Sequence, residues 1–280
     1  MKTPRVAAIH DLCGFGRCSL SIIMPTLSAI GVQCCPLPTA FLSTHTGGFE
    51  GYTFLDMTRE MEDAAHHWKT LDLKFQAVYS GFLGSEHQIE IVERFIRDFR
   101  GEDTIVVVDP VMGDQGEVYK TYTPAMCRGM KRLAEQADVI TPNLTEAALL
   151  LDIPYEEMPT DEAGVRSVVE KLSMGGKRSV VLTGFSSTPE LTGAMCYDAA
   201  TGKTEILQVP RVHREFYGTG DVFSSVLTGA LLRGKTLAEA TAQAVEFILE
   251  CARLTAANDL PLREGVDFEP LLGLLTEKRS

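Results

Sequence analysis

Thr104-Ile105-Val106-Val107-Val108-Asp109, running straight into Pro110-Val111-Met112-Gly113-Asp114, decides the fold. Four successive β-branched residues with no polar alternation read as a strand buried on both faces, the mark of a parallel sheet covered by helices. The run ends on a carboxylate, and Pro110 and Gly113 fix the turn that follows. In an open parallel sheet ligands gather at the carboxyl ends of the strands, so Asp109 faces the ligand crevice. Asp-Pro also starts ordinary turns, and the residue alone does not choose between the two roles.

The same pattern repeats outward along the chain. Val6 to Ile9, Ala77 to Ser80, Val139 to Thr141 and Ser179 to Thr183 are short β-branched runs that end on turn-forming residues. Helical periodicity fills the intervals Ser19 to Ile30, Phe54 to Trp68, Glu86 to Phe99, Pro124 to Gln136, Thr145 to Leu151 and Asp161 to Met174. Pro25 should kink the first of these helices or mark a late start. Ala194 to Tyr197 and Glu205 to Val209 flank a turn-rich Asp198 to Lys203, which reads as an antiparallel hairpin on the sheet edge. Two further helices follow, one opening at Gly218-Thr219-Gly220-Asp221 and one around Leu237 to Ala256, with a short third at the C-terminal end. Neither repeats nor linkers interrupt the series, so residues 1–280 read as one doubly wound α/β domain.

Composition narrows the partners. The 280 residues are 45% hydrophobic and carry 26 Lys and Arg against 38 Asp and Glu, a formal charge of −12. That charge repels polyanions and argues against nucleic acid and anionic membrane surfaces, while local amides and a metal can still hold a small anion. Cys13, Cys18, Cys34, Cys35, Cys127, Cys196 and Cys251 follow no metal-ligand spacing and read as reduced, mostly buried thiols of a cytosolic protein. Met1-Lys2-Thr3-Pro4 leads directly into a strand, leaving no room for a signal peptide, and no apolar run approaches a membrane span.

Chemistry concentrates at four places. Gly218-Thr219-Gly220-Asp221 feeds a small-residue helix, so free N–H groups and the positive end of the helix dipole can hold an anion while Asp221 takes a proton from a hydroxyl. Those are the requirements of phosphoryl transfer to an alcohol, although Asp221 also reads as a plain helix cap. His10-Asp11-Leu12-Cys13-Gly14-Phe15-Gly16 permits close backbone approach to a ligand but lacks the third glycine of a dinucleotide fingerprint. Thr141-Pro142-Asn143-Leu144-Thr145-Glu146 places Asn143 and Glu146 three apart at a helix start. They read either as a capping pair or as a site where Glu146 bonds the waters of a Mg²⁺ held by nucleotide phosphates. Thr183-Gly184 offers a hydroxyl to a phosphate or closes a turn. Glu62 and His66 share a helix face at metal-ligand spacing, yet with His67 and Trp68 alongside they read as a solvated face and a packed aromatic. Cys34 and Cys35 read as strand-end core residues, and His213 lies near a nucleotide or on the edge hairpin.

Taken together, Asp109-Pro110-Val111-Met112-Gly113, Thr141-Pro142-Asn143-Leu144 with Glu146, and Gly218-Thr219-Gly220-Asp221 resemble, in order and separation, the ribokinase-like superfamily and within it the pyridoxal kinases. Ser43-Thr44-His45-Thr46 and Ser80-Gly81-Phe82-Leu83-Gly84 belong to the likeness, which runs from residue 6 to about 256. The resemblance implies a three-layer α/β/α sandwich around a mostly parallel sheet, acting as a homodimer that phosphorylates the 5′-hydroxyl of a B6 vitamer with MgATP. It implies Asp221 as general base and the amides of Gly218, Thr219 and Gly220 as anion hole. Asp109 and Glu146 would serve Mg²⁺, with Asn143, Thr141, Thr183 and Asp114 along the nucleotide. Asp11, His45, Thr46 and Phe82 would form the vitamer pocket, with Asp11 paired to a ring N–H⁺ or an amine. Asp114 and Tyr119 fall in a loop over the substrates, and a monovalent cation can assist. Asp11 and the Ile140 to Leu151 segment also look like the hydroxymethylpyrimidine (phosphate) kinases, the alternative, whereas Asp221 and Thr183 look like pyridoxal kinases. A vitamer-binding protein without activity is the third reading, and the presence of Asp221, Asn143 and Glu146 argues against it.

Overall fold

In the computed structural model, which describes residues 2–276, a nine-stranded sheet runs through the whole molecule. In chain order the elements are β1 Arg5–Cys13, α1 Leu20–Ala29, β2 Gln33–Leu42, β3 Phe54–Asp56, α2 Thr58–Thr70, β4 Ala77–Ser80, α3 Glu86–Phe99 and β5 Ile105–Val108. A small hairpin of β6 Gly113–Asp114 and β7 Glu117–Val118 precedes α4 Pro124–Ala134, β8 Val139–Ile140, α5 Leu144–Leu151 and α6 Glu162–Leu172. The chain continues with β9 Ser179–Phe185, β10 Leu191–Asp198, β11 Lys203–Pro210, α7 Thr219–Leu232 and α8 Leu237–Ala257. Short 3₁₀ turns follow at Leu262–Glu264 and Glu269–Leu275.

The strand order is β11-β10-β9-β8-β5-β4-β1-β2-β3. The six strands from β9 to β2 are parallel, with β3 antiparallel on one edge and β10 and β11 antiparallel on the other. Strand alternation divides the core into two halves. Ala7, Ile9, Val106 and Val108 pack with α2 to α6, while Val6, Ala8 and Val107 pack with α1, α7 and α8. Both faces of the central strands are therefore dry, which is why they read as unbroken apolar runs and why the three-layer sandwich forms.

Two segments differ from the sequence expectation. Phe54–Asp56 is an edge strand, and the helix expected from Phe54 begins at Thr58 instead. Gln33–Leu42, which contains Pro36 and Pro38, is a ten-residue strand beside β1. It tolerates both prolines because β3 pairs only with Ala40 to Leu42, so prolines spaced two apart can turn their donorless nitrogens to the unpaired side. Helix α1 does not start late, since it runs from Leu20 with Pro25 inside it.

The cysteines are all free, but only Cys13, Cys196 and Cys251 are fully buried and the other four are half-buried, fewer than expected. Among the described residues no helix is long and apolar enough to cross a membrane. Trp68 packs on Phe75 and Phe95, His66 is exposed, and Glu62 pairs with Arg94 rather than joining His66 around a metal.

Candidate active site

Parallel strands deliver their carboxyl ends to one edge, and the chemically capable residues collect there. Helix α7 starts at Gly218, whose left-handed backbone (φ 79°) no L-residue adopts easily. A Cβ there would also stand 2.5 Å from the Arg17 carbonyl. Val222 is the amide that closes the first turn, onto the Gly218 carbonyl at 3.0 Å, so the amides ahead of it open outward as at any helix start. A Cβ built on Gly220 meets nothing within 4 Å. The N-terminus of α7 thus has free space in front of it, of the kind an anion needs.

Asp221, in the first turn of α7, is half-buried and accepts the Ser19 N–H at 2.8 Å. Burial pushes its carboxyl up to about 6; the Ser19 amide opposes this and the Asp11 charge adds to it. Ser19 is held in an unusual backbone conformation (φ 51°, ψ −132°), and its hydroxyl donates to Asp11 at 2.5 Å. The other Asp11 oxygen accepts the Cys13 thiol at 3.1 Å. Asp11 is buried and its carboxyl raised, by burial first and against the pull of those two donors. Both Asp11 oxygens accept donors of the chain itself, one each, and each keeps a second lone pair.

Asp109 sits at the tip of β5, buried, with the Ser224 hydroxyl 3.2 Å from its carboxylate and 2.9 Å from the Thr141 hydroxyl. Glu146 and Asn143 form a reciprocal cap on α5: the Asn143 amide donates to Glu146 and the Glu146 amide to Asn143, both at 2.9 Å. The capping reading therefore holds, but Glu146 does more. It is buried and also accepts the Met112 amide at 3.2 Å, while Asn143 Nδ2 donates to the Gly113 carbonyl at 2.9 Å. Both acids are raised by burial first, Asp109 further by the charge of Asp221 and Glu146 further by that of Asp109.

Among the described residues no three His, Cys, Asp or Glu side chains converge as a metal cage. Two neighbouring buried carboxylates fit a hard divalent cation that takes most of its ligands from phosphates and water, as Mg²⁺ does. The β6–β7 hairpin stands beside them, tied to α5 by the Gly116 amide donating to the Thr145 hydroxyl at 2.9 Å. Asp114 and Tyr119 are exposed on this flap, with Tyr119 close enough to Glu146 and Asp114 to feel their charges. Thr183 is half-buried, its amide bonded to the Pro142 carbonyl at 2.9 Å.

His45 is buried, close enough to Asp11 to feel its charge. Its Nε2 lies 2.6 Å from the Arg263 carbonyl and its Nδ1 accepts the Gly47 amide at 3.1 Å, the pattern of a neutral imidazole. Burial lowers its pKa further than the Arg263 carbonyl and Asp11 raise it. The ring meets Phe49 and Tyr217 edge-on or tilted at 5.0 and 5.5 Å. Thr46 is exposed beside it, and Phe82 turns its ring to Tyr122 at 6.2 Å, so neither shares the Asp11 hydrogen-bond network. His213 lies exposed in the loop after β11.

Ser19, Ser224, Arg17 and Thr145 were not legible as site residues. Ser19 looks like an ordinary helix cap, yet its side chain makes no cap bond. The others act through partners at least 29 residues away, such as Arg17 with Glu269, and no local spacing announces them.

The family model described as phosphomethylpyrimidine kinase matches residues 24–266. A Bacteroides thetaiotaomicron protein provisionally described as a phosphomethylpyrimidine kinase, in a crystal form with pyridoxal, is 41% identical and superposes with a TM-score of 0.92 over 98% of this chain and 96% of its own. The pyridoxal kinase of Lactobacillus plantarum is 29% identical, with a TM-score of 0.90 over 98% and 97%. The hydroxymethylpyrimidine/phosphomethylpyrimidine kinase of Haemophilus influenzae is 32% identical over 203 residues, 71% of each chain.

Proposed function

The chain belongs to the phosphomethylpyrimidine kinase family, and from that footing we propose that it transfers the γ-phosphate of ATP to the 5′-hydroxymethyl group of a B6 vitamer: pyridoxal, pyridoxine or pyridoxamine. The observation that carries the substrate class is the Bacteroides relative, similar over nearly the whole chain and crystallised with pyridoxal. Phosphorylation of a hydroxymethylpyrimidine is the second reading, favoured by the Haemophilus relative. Both acceptors are flat heteroaromatic rings bearing a primary alcohol, and one mechanism serves either.

Asp221 is the general base. Its carboxyl, raised to about 6, is ionised at neutral pH yet basic enough to accept the alcohol proton as phosphorus approaches. The amides of Gly218, Thr219 and Gly220 and the α7 dipole stabilise charge on the transferring phosphoryl group, in the open space over Gly220. Asp109 and Glu146 hold Mg²⁺, which when bound neutralises phosphate charge. Thr141, Asn143, Thr183 and Asp114 line the nucleotide, and the β6–β7 flap excludes water. The ring packs near His45, with Thr46 and Phe82 at its rim. Free thiols support a reducing, cytosolic setting, and the resemblance supports a homodimer built of single-domain chains, which sedimentation would measure.

The test is kcat/KM with MgATP for pyridoxal, pyridoxine, pyridoxamine and hydroxymethylpyrimidine. A B6 vitamer should be the best substrate. A preference of about tenfold or more for the pyrimidine, near the discrimination one or two well-placed contacts give, would overturn the B6 assignment in favour of the second reading.

A further inference from the structure

Ser19 commits each of its polar groups to a different element. Its carbonyl accepts the Ile22 and Ile23 amides at 2.9 and 3.0 Å and so begins α1. Its amide points the other way, to Asp221 of α7, and its hydroxyl to Asp11 of β1. An isolated bridge to Leu12 fixes the same residue against β1. The conformation that permits all this, φ 51° and ψ −132°, is one a glycine would adopt freely and a serine adopts only at a cost. Its side chain makes no cap bond to α1 and goes to Asp11 instead.

We propose that Ser19 is a positioning residue for Asp221: the Asp11–hydroxyl bond locks the strained turn that aims the Ser19 amide at the Asp221 carboxylate. Asp11 then acts through Ser19 rather than on the substrate. The amide fixes one carboxylate oxygen and leaves the other to meet the acceptor hydroxyl. The kinetic consequence rests on the reading of Asp221 as general base; the structural link does not.

Ser19→Gly keeps the backbone accessible and removes the lock. Its melting temperature should fall only modestly, since relief of the strained backbone offsets part of the cost of an Asp11 oxygen left without its donor, while kcat falls about 10- to 100-fold, the range a misplacement near 1 Å costs, and KM for ATP and alcohol holds within about twofold. Asp11→Ala should do the same to kcat, and Asp11→Asn, whose side-chain oxygen still accepts the hydroxyl, should recover most of the loss. The double variant Ser19→Gly/Asp11→Ala should be no slower than the slower single one, because both cut the same link. Losses that multiply, an unchanged kcat in Ser19→Gly, or a change confined to KM for the alcohol would overturn the proposal. The Ser19 amide proton provides a readout without substrate. Its resonance, shifted downfield by the carboxylate, should move upfield in Asp11→Ala but not in Asp11→Asn, and a resonance that stays in place in Asp11→Ala sinks the link. A wild type that phosphorylates none of the four alcohols would defeat the functional reading while leaving this resonance test decisive.

Discussion

At the scale of single residues, Asp221 makes the sharpest prediction. On the proposed general-base role, Asp221→Asn should lower kcat about 10²- to 10⁴-fold, because the base would be lost while the α7 amides remain. For the wild type kcat should level off above about pH 7, reach half its plateau near pH 6 and fall further below, as Asp221 takes a proton. The same shift carries the opposite sign for stability. The folded state binds this proton more tightly than the unfolded chain, whose carboxyl sits at 3.8, so the contribution is present below 3.8 and lost as pH rises through about 6. Melts of Asp221→Asn against wild type should therefore favour the variant more at pH 8 than at pH 4. Glu146→Gln should raise the Mg²⁺ concentration for half activity, since the amide keeps an acceptor but loses the charge; a Mg²⁺ titration that does not move would leave Glu146 as a cap alone. Asp221, Asn143 and Glu146 were legible because capping and chemistry select the same residue types at helix starts. Ser19 and Ser224 were not, because their roles depend on Asp221 and Asp109, more than 100 residues away in the chain.

At the scale of elements, the start of α7 separates packing from ligand space. Gly218→Ala must relieve both a left-handed backbone and a 2.5 Å approach to the Arg17 carbonyl, so it should cost about 1 to 3 kcal/mol and lower kcat as well. Gly220→Ala meets no protein atom within 4 Å. It should fold at least as well, alanine being the better helix former by about 1 kcal/mol, yet, on the proposed anion-hole role, raise KM for ATP by placing a methyl in the space proposed for phosphate. Thermal melts beside ATP kinetics on the pair check both expectations. The central strands were legible because burial on both faces forbids polar alternation. The β2 and β3 edge was not: the prolines of β2 argue against a strand until one sees that its outer side is unpaired, and β3 is three exposed residues with no pattern to read.

At the scale of the whole molecule, residues far apart in the chain close the site together. Arg17 donates to Glu269 at 2.8 Å and to Asp267 at 3.2 Å, and its amide to the Glu264 carbonyl at 3.0 Å. The Arg263 carbonyl holds His45, and the Val266 amide bonds Tyr217 just ahead of α7. Arg17→Ala should cost about 1 to 3 kcal/mol through these partly buried charged bonds and should slow turnover, because the glycine turn and Ser19 lose their anchor. Calorimetry with kcat on the one variant tests this, and a lower melting temperature at unchanged kcat would confine Arg17 to stability. The order of synthesis follows from the same clasp. A ribosome that has made some 250 residues has released every strand and the start of α7, but not the segment that buckles residue 17 to residue 269. Nascent chains, and copies clipped back into that segment, should carry the sheet without a working site, so that activity appears only once residues 263–269 have emerged to meet residue 17.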